Sequence, residues 1–155
     1  MNGQATLRAV HGGDHAFLMA LVSSTREDLA LLDSAMRTVL VRMQYEAQLS
    51  DYRRRFPGME EKIVLANTIP AGRLYVARSH DEIRLVDISL LPAFRGRRIG
   101  SALLAQLQEQ STNAGLPLRL RVLHGNPAAG LYRRLGFQAG AIEGLYLAME
   151  WPPSC

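Results

Sequence analysis

Several things are scarce in this sequence of 155 residues, and each scarcity narrows what the chain does. Cysteine occurs once, as Cys155 at the very end, so there is no internal disulfide and no well-seated thiol nucleophile. The four histidines (His11, His15, His80, His124) lack the spacing of metal ligands, so no metal is expected. No apolar run approaches the ~20 residues that span a bilayer, so no membrane partner is expected. The opening MNGQATLRAVHGGDH lacks the apolar stretch of a secretory leader, and a cytoplasmic location is the resulting expectation. Lys62 is the only lysine, so the net charge of +4 rests almost wholly on arginine. Those arginines cluster at Arg53–Arg55 and Arg95–Arg98, without the interleaved aromatics of a nucleic-acid-binding stripe, and no nucleic-acid partner is expected. No internal repeat and no linker breaks the chain.

What remains is a globular composition, 48% hydrophobic and 21% charged, in one domain spanning 1–155. Thr6–Val10 reads as a short strand. Asp14 is placed to cap a helix through Ser23 whose apolar face is Phe17, Leu18, Leu21 and Val22. A second helix is predicted from Asp33 to about Tyr52, with Met36, Leu40, Met43 and Ala47 as its apolar stripe. Its other face carries Arg42, Tyr45, Gln48 and Tyr52, read either as solvated or as facing a substrate. From Lys62 the texture turns to strand: Ile63–Ala66, Arg73–Arg78 and Ile83–Leu91, with turns at Ile69-Pro70-Ala71-Gly72 and Ser79-His80-Asp81. A helix to about Ala114, a strand at Leu118–Leu123, a short helix opened by Asn126 and Pro127, and strands from Phe137 and Gly144 complete the pattern. The strand, helix and strand imply a right-handed crossover and a parallel pair.

The stretch Ile83–Leu104 carries the chemistry. An apolar strand passes through Pro92 and a turn of Arg95, Gly96, Arg97 and Arg98 into a helix on which Ile99, Leu103 and Leu107 share a face. The first turn of a helix offers unpaired N–H groups and the positive end of the macrodipole. Gly96 and Gly100 carry no Cβ to hold an anion away from those amides, and the arginines add charge.

The segment Arg95-Gly96-Arg97-Arg98-Ile99-Gly100 resembles the acetyl-coenzyme A signature of the GNAT acetyltransferase superfamily: Gln or Arg, two residues, Gly, one residue, then Gly or Ala. The departure is Arg98, where that signature has Gly. Its side chain either narrows the approach to the pyrophosphate or points outward and leaves only its amide at the ligand; the second reading is favoured. Asn126-Pro127-Ala128-Ala129-Gly130-Leu131-Tyr132-Arg133-Arg134-Leu135-Gly136-Phe137 is similar to the second block of the same superfamily, in the right order and spacing. The resemblance covers residues 60–150 well and the N-terminal third loosely.

The resemblance implies an α+β fold, with a mixed, mostly antiparallel sheet, helices on both faces and a splayed central parallel strand pair that admits the pantetheine arm. It implies acetyl-coenzyme A as co-substrate, held by the loop from Arg95 through Arg98 and Ile99 to Gly100 and Ser101, by Asn126, and by backbone amides at Ile88 and Leu90. Tyr132 takes the position of the superfamily's usual general acid; a phenol with a pKa near ~10 keeps its proton for a departing thiolate. Glu82 and Asp87 are the candidate bases, on opposite faces of one strand, and water is the alternative to both. The expected partners are acetyl-coenzyme A and an amine-bearing small molecule or peptide, with a homodimer left open. The function this implies is N-acetyl transfer from acetyl-coenzyme A to a primary amine. The alternative is a non-catalytic module of the same fold that binds acyl-coenzyme A.

Overall fold

The computed structural model describes residues 5–152, so Cys155 and the first residues of the N-terminal stretch lie outside them. Seven strands and four α-helices follow one another as β1 (Ala5–Ala9), α1 (His15–Ser23), α2 (Ser34–Arg55), β2 (Glu60–Ala66), β3 (Ile69–Arg78), β4 (Ile83–Leu90), α3 (Ile99–Ala114), β5 (Leu118–Leu123), α4 (Ala128–Arg134), β6 (Gln138–Glu143) and β7 (Tyr146–Trp151). They form one sheet in the order β1-β2-β3-β4-β5-β7-β6. β4 and β5 are parallel, in register from Ile83↔Leu118 to Leu85↔Leu120. β1 with β2, β5 with β7 and β6 with β7 are antiparallel. The sheet is therefore mixed and mostly antiparallel, as expected.

Two compact units make up the chain. One holds the residues up to 75 together with 87–100, and the other holds 76–86 with the residues from 101 onward. In the first, Leu18, Leu21 and Val22 of α1 pack with Leu29, with Val41 and Tyr45 of α2, and with Ile63 of β2. In the second, the buried residues include Leu103, Leu104 and Leu107 of α3, Leu118 and Leu120 of β5, and Met149 of β7. The helical spacing in α3 and the alternation in β5 thus turn the expected faces inward.

The structure corrects two expectations. The hairpin between β2 and β3 turns at Asn67 and Thr68, both left-handed at φ 51° and 72°, and not at residues 69–72, which begin β3. Two consecutive left-handed residues match the twist of a tight hairpin, so two residues suffice and Pro70 is left within the strand. The second correction is the face of α2. Met36 and Met43 are 51% and 60% exposed, whereas Val41 and Tyr45 are buried. Aliphatic spacing misses this because Tyr45, Gln48 and Tyr52 carry larger or hydrogen-bonding side chains that meet strand residues. Asp33 does cap α2, accepting from the Met36 amide at 2.9 Å. Asp14 precedes α1 but accepts from Arg8 at 2.9 and 2.7 Å and from the His11 amide at 2.9 Å.

Candidate functional site

The segment from β4 to α3 is set by close backbone contact. A Cβ at Gly72 would collide with the Ser89 carbonyl oxygen and come within 2.7 Å of Leu90 Cδ2, so only glycine lets β3 approach the end of β4 this closely. The Leu91 amide donates to the Ala71 carbonyl at 2.8 Å, and a single 3-10 turn, Pro92–Phe94, follows. Arg95 Nε then donates to the Leu90 carbonyl at 2.9 Å, which folds the loop back on the strand that feeds it. Arg97 leans over the Phe94 ring, 5.5 Å from its centroid. Gly96 and Arg98 both adopt left-handed backbone, at φ 74° and 64°.

The left-handed Arg98 shows why glycine suits this place in the motif, and the arginine holds it at a cost in backbone strain. Its side chain is exposed. α3 starts at Ile99, whose side chain is buried, so only its backbone faces outward for a ligand. A Cβ at Gly100 would meet no atom within 4 Å, and its φ is not left-handed. Neither packing nor backbone strain requires glycine there, which leaves open space above the first-turn amides.

In the second unit, Asn126 Oδ1 accepts from the Ala128 amide at 2.9 Å just ahead of α4, whose N-cap position is Pro127 rather than the expected Asn126. Tyr132 lies on α4 with 8% of its surface exposed, and its ring meets Phe137 edge-on at 5.6 Å. Its carbonyl accepts from the Leu135 and Phe137 amides at 3.1 and 3.0 Å, which fixes the turn after the helix.

The two candidate bases are both engaged. Glu82 accepts from Arg84 Nε at 3.0 Å and from Arg119 Nη1 at 3.1 Å, and Arg119 reaches on to Glu150 at 2.6 Å. Hydrogen bonds to Glu150 and then Glu82 raise the Arg119 pKa. This ties β4, β5 and β7 across one face of the sheet. Asp87 Oδ2 accepts from the Tyr52 hydroxyl and from Arg73 Nη2, both at 2.8 Å, and Oδ1 accepts from Ser89 Oγ at 2.7 Å. The first unit brings together Asp87, Ile88, Leu90 and 95–100; the second holds Glu82, Ser101, Asn126 and Tyr132.

Comparison with known proteins decides the family. The family described as acetyltransferase (GNAT) domain matches residues 59–139, just over half of the chain, including the Arg95–Gly100 loop and the Asn126–Phe137 block. The chain belongs to the GNAT acetyltransferase family. The GNAT fold is shared with solved structures. PaiA N-acetyltransferase from Thermoplasma acidophilum, solved with coenzyme A, aligns over 96% of this chain and 99% of its own, with TM-score 0.70 and 17% identity. A structure described as histone acetyltransferase HPA2 and related acetyltransferase, from Corynebacterium glutamicum, aligns over 98% of both chains with TM-score 0.69 and 19% identity. Nourseothricin acetyltransferase is 25% identical over 63% of this chain and 67% of its own, with TM-score 0.53. A search of the curated proteins finds no match.

Within this GNAT domain, sequence reasoning missed a buried polar cluster. Arg73 is 3% exposed, donates to Asp87 and to Gln48 Oε1 at 2.6 Å, and lies 4.9 Å from the centre of the Tyr75 ring. Burial alone would lower the Arg73 pKa, but the Asp87 carboxylate outweighs it and the net shift is upward. Tyr75 is fully buried, its hydroxyl has no hydrogen-bond partner among the described residues, and burial pushes its pKa up to about 12. The available signal was Arg73 inside an otherwise apolar strand, two residues before a tyrosine. Among the described residues no cluster of His, Cys, Asp or Glu is placed to hold a metal, and no helix is long and apolar enough to cross a membrane.

Proposed function

We propose that this GNAT domain is an N-acetyltransferase that moves an acetyl group from acetyl-coenzyme A to the primary amine of a small molecule or peptide. The observation that carries the reading is the family match over both blocks, the donor loop and the Tyr132 helix. The open space at Gly100 and the helix-start amides beside it suit a pyrophosphate, and Arg97 and Arg98 supply positive charge near it. Asn126 Oδ1 accepts from the Ala128 amide, and its Nδ2 group would turn to a pantetheine carbonyl. Backbone groups at Ile88 and Leu90 would orient the thioester.

Acetyl-coenzyme A supplies an activated acyl group with a thiolate leaving group. The chain's part is to hold the geometry and to manage one proton. As the neutral amine attacks and the C–S bond breaks, Tyr132 Oη would give its proton to the departing sulfur. The proton lost by the amine would pass to water, because Glu82 and Asp87 are both already held by arginine.

The test is release of free thiol from acetyl-coenzyme A against a panel of amino acids, polyamines, aminoglycosides and peptide N-termini. With a working acceptor, Tyr132→Phe should keep the affinity for acetyl-coenzyme A and lower turnover by ~10²–10⁴-fold. Wild-type turnover in the variant would remove Tyr132 as the acid. Tight coenzyme A binding with no thiol release from any acceptor would instead establish the non-catalytic acyl-coenzyme A module.

A further inference from the structure

The first unit contains a cavity of about 650 Å³ framed by the residues after β1, the start of α1, the second half of α2 and the start of β2. None of the residues assigned to acetyl transfer lines it. Its volume falls in the range of small-molecule sites. One wall is preformed. Asp14 takes two donors from Arg8 and the His11 amide, and His11 Nδ1 accepts from the Gly13 amide at 3.1 Å, so the chain closing that side is pinned.

The charges on the lining are uneven. Arg53 gives Nε and Nη2 to the two oxygens of Glu61 at 2.9 Å each, and that pair is internally compensated. Glu46, exposed at the rim of the lining, has no cationic partner among the described residues. Next to it on α2, Tyr45 is only 7% exposed, and its hydroxyl makes no hydrogen bond to any described residue. Burial raises the Tyr45 pKa, and after the opposing field of Arg73 the charges acting on it are Arg53, Glu61 and Glu46, all from this region. The Tyr45 ring meets His15 edge-on at 5.5 Å, adding a second aromatic surface. Leu18, Leu49 and Met59 supply apolar contact.

An unpaired carboxylate, a tyrosine hydroxyl with no partner among the described residues, an aromatic ring and an apolar lining together favour one ligand chemistry. We propose that this cavity binds a small organic ammonium ion, its cation beside Glu46 and Tyr45 and its apolar body against Leu18, Leu49 and Met59. An ammonium gains from the carboxylate and from the Tyr45 ring, and it can donate to the Tyr45 oxygen. An organic anion would meet the Glu46 carboxylate, and Arg53, the arginine of the lining, is already paired with Glu61. The proposal is independent of acetyl transfer and is tested without an acetyl donor.

The test is calorimetry of the full chain with 2-phenylethylamine, with 2-phenylethanol and 3-phenylpropionate as neutral and anionic analogues. It is run at about pH 8, where ordinary imidazoles are uncharged. The amine should bind saturably at one site, and the two analogues should bind at least about tenfold more weakly. Glu46→Gln should weaken amine binding about tenfold while leaving the melting temperature and coenzyme A affinity unchanged, and Tyr45→Phe should weaken it by a smaller factor. No saturation up to about 10 mM, equal binding of 3-phenylpropionate, or undiminished binding by Glu46→Gln would each overturn the proposal. Adding acetyl-coenzyme A afterwards sorts a bound amine into acceptor, if it is acetylated, or effector, if it is recovered unchanged. Both results uphold the site.

Discussion

Two neighbouring parts of the first unit are held in different ways. From Leu91 to Gly100 the structure is set mainly by backbone: an amide to a carbonyl, a 3-10 turn, two left-handed residues and a side chain that itself ends on a carbonyl. Around Arg73 and Asp87 it is set by side chains, with Gln48, Tyr52 and Ser89 converging from α2 and β4 on one buried ion pair. The first arrangement tolerates exposure and presents amides outward. The second works only if every partner is present, because a buried charge without its counterpart is strongly destabilising. A loop held by backbone and a cluster held by side chains therefore fail differently when mutated.

The largest effect should come from the side-chain cluster. Asp87→Ala strands the Arg73 guanidinium and should lower the unfolding free energy by about 3–5 kcal/mol in a denaturant titration. A loss below about 1 kcal/mol would mean that water reaches Arg73 and that the cluster is no more demanding than the loop. Next comes Gly100→Val. The added Cβ meets no atom within 4 Å, so the melting temperature should hold, while coenzyme A affinity should fall about a hundredfold or more, ~3 kcal/mol by calorimetry. Unchanged affinity in a folded variant would end the assignment of the loop as a pyrophosphate cradle.

The third test sharpens the contrast through pH. The bidentate Arg8 pair and then the His11 amide hold the Asp14 carboxyl down at about 2, below its ordinary 3.8. A carboxylate lowered in the folded state stabilises it at pH values above the unfolded pKa, and that stabilisation fades as pH falls from about 4 toward 2. Asp14→Asn should therefore melt about 5 °C lower than wild type near neutrality. The gap should close by about pH 2. A gap that persisted there would make the Asp14 contribution one of packing. The smallest effect is expected at Arg98. Arg98→Gly releases a left-handed arginine and should raise stability by about 1 kcal/mol, while coenzyme A affinity shifts less than about threefold. A loss of ~1.5–3 kcal/mol in binding would show instead that the Arg98 side chain contacts a phosphate.

The same contrast explains what could be read in the sequence. The turn from Leu91 to Gly100 was legible because backbone geometry leaves a compositional trace: glycine at Gly96, where φ is positive, proline at the first position of the 3-10 turn, and arginines around them. The α3 face at Ile99, Leu103 and Leu107 was legible for similar local reasons. The α2 face was misassigned because its orientation is decided by Arg73, Asp87 and Ile63, which lie elsewhere in the sequence. Periodicity weighs Met36 and Met43 as apolar but gives no credit to Gln48 or Tyr52 for the partners they find. The turn at Asn67 and Thr68 was overlooked because Pro70 and Gly72 are stronger local turn signals, and Thr is an unusual residue at positive φ. The roles of Tyr132, Ile88 and Leu90 came from family resemblance; spacing alone does not carry them.

Gly72 has a consequence for how such a chain can diverge. The residue carries no charge, donates no side-chain hydrogen bond and belongs to no motif. Yet the smallest possible addition drives a carbon into the Ser89 carbonyl and against Leu90, the strand end from which the donor loop departs. Arg98 is the reverse case: it sits inside the motif, and its backbone would be at greater ease as glycine. Drift in this sequence is therefore expected to be open at the motif residue Arg98 and closed at Gly72 outside it.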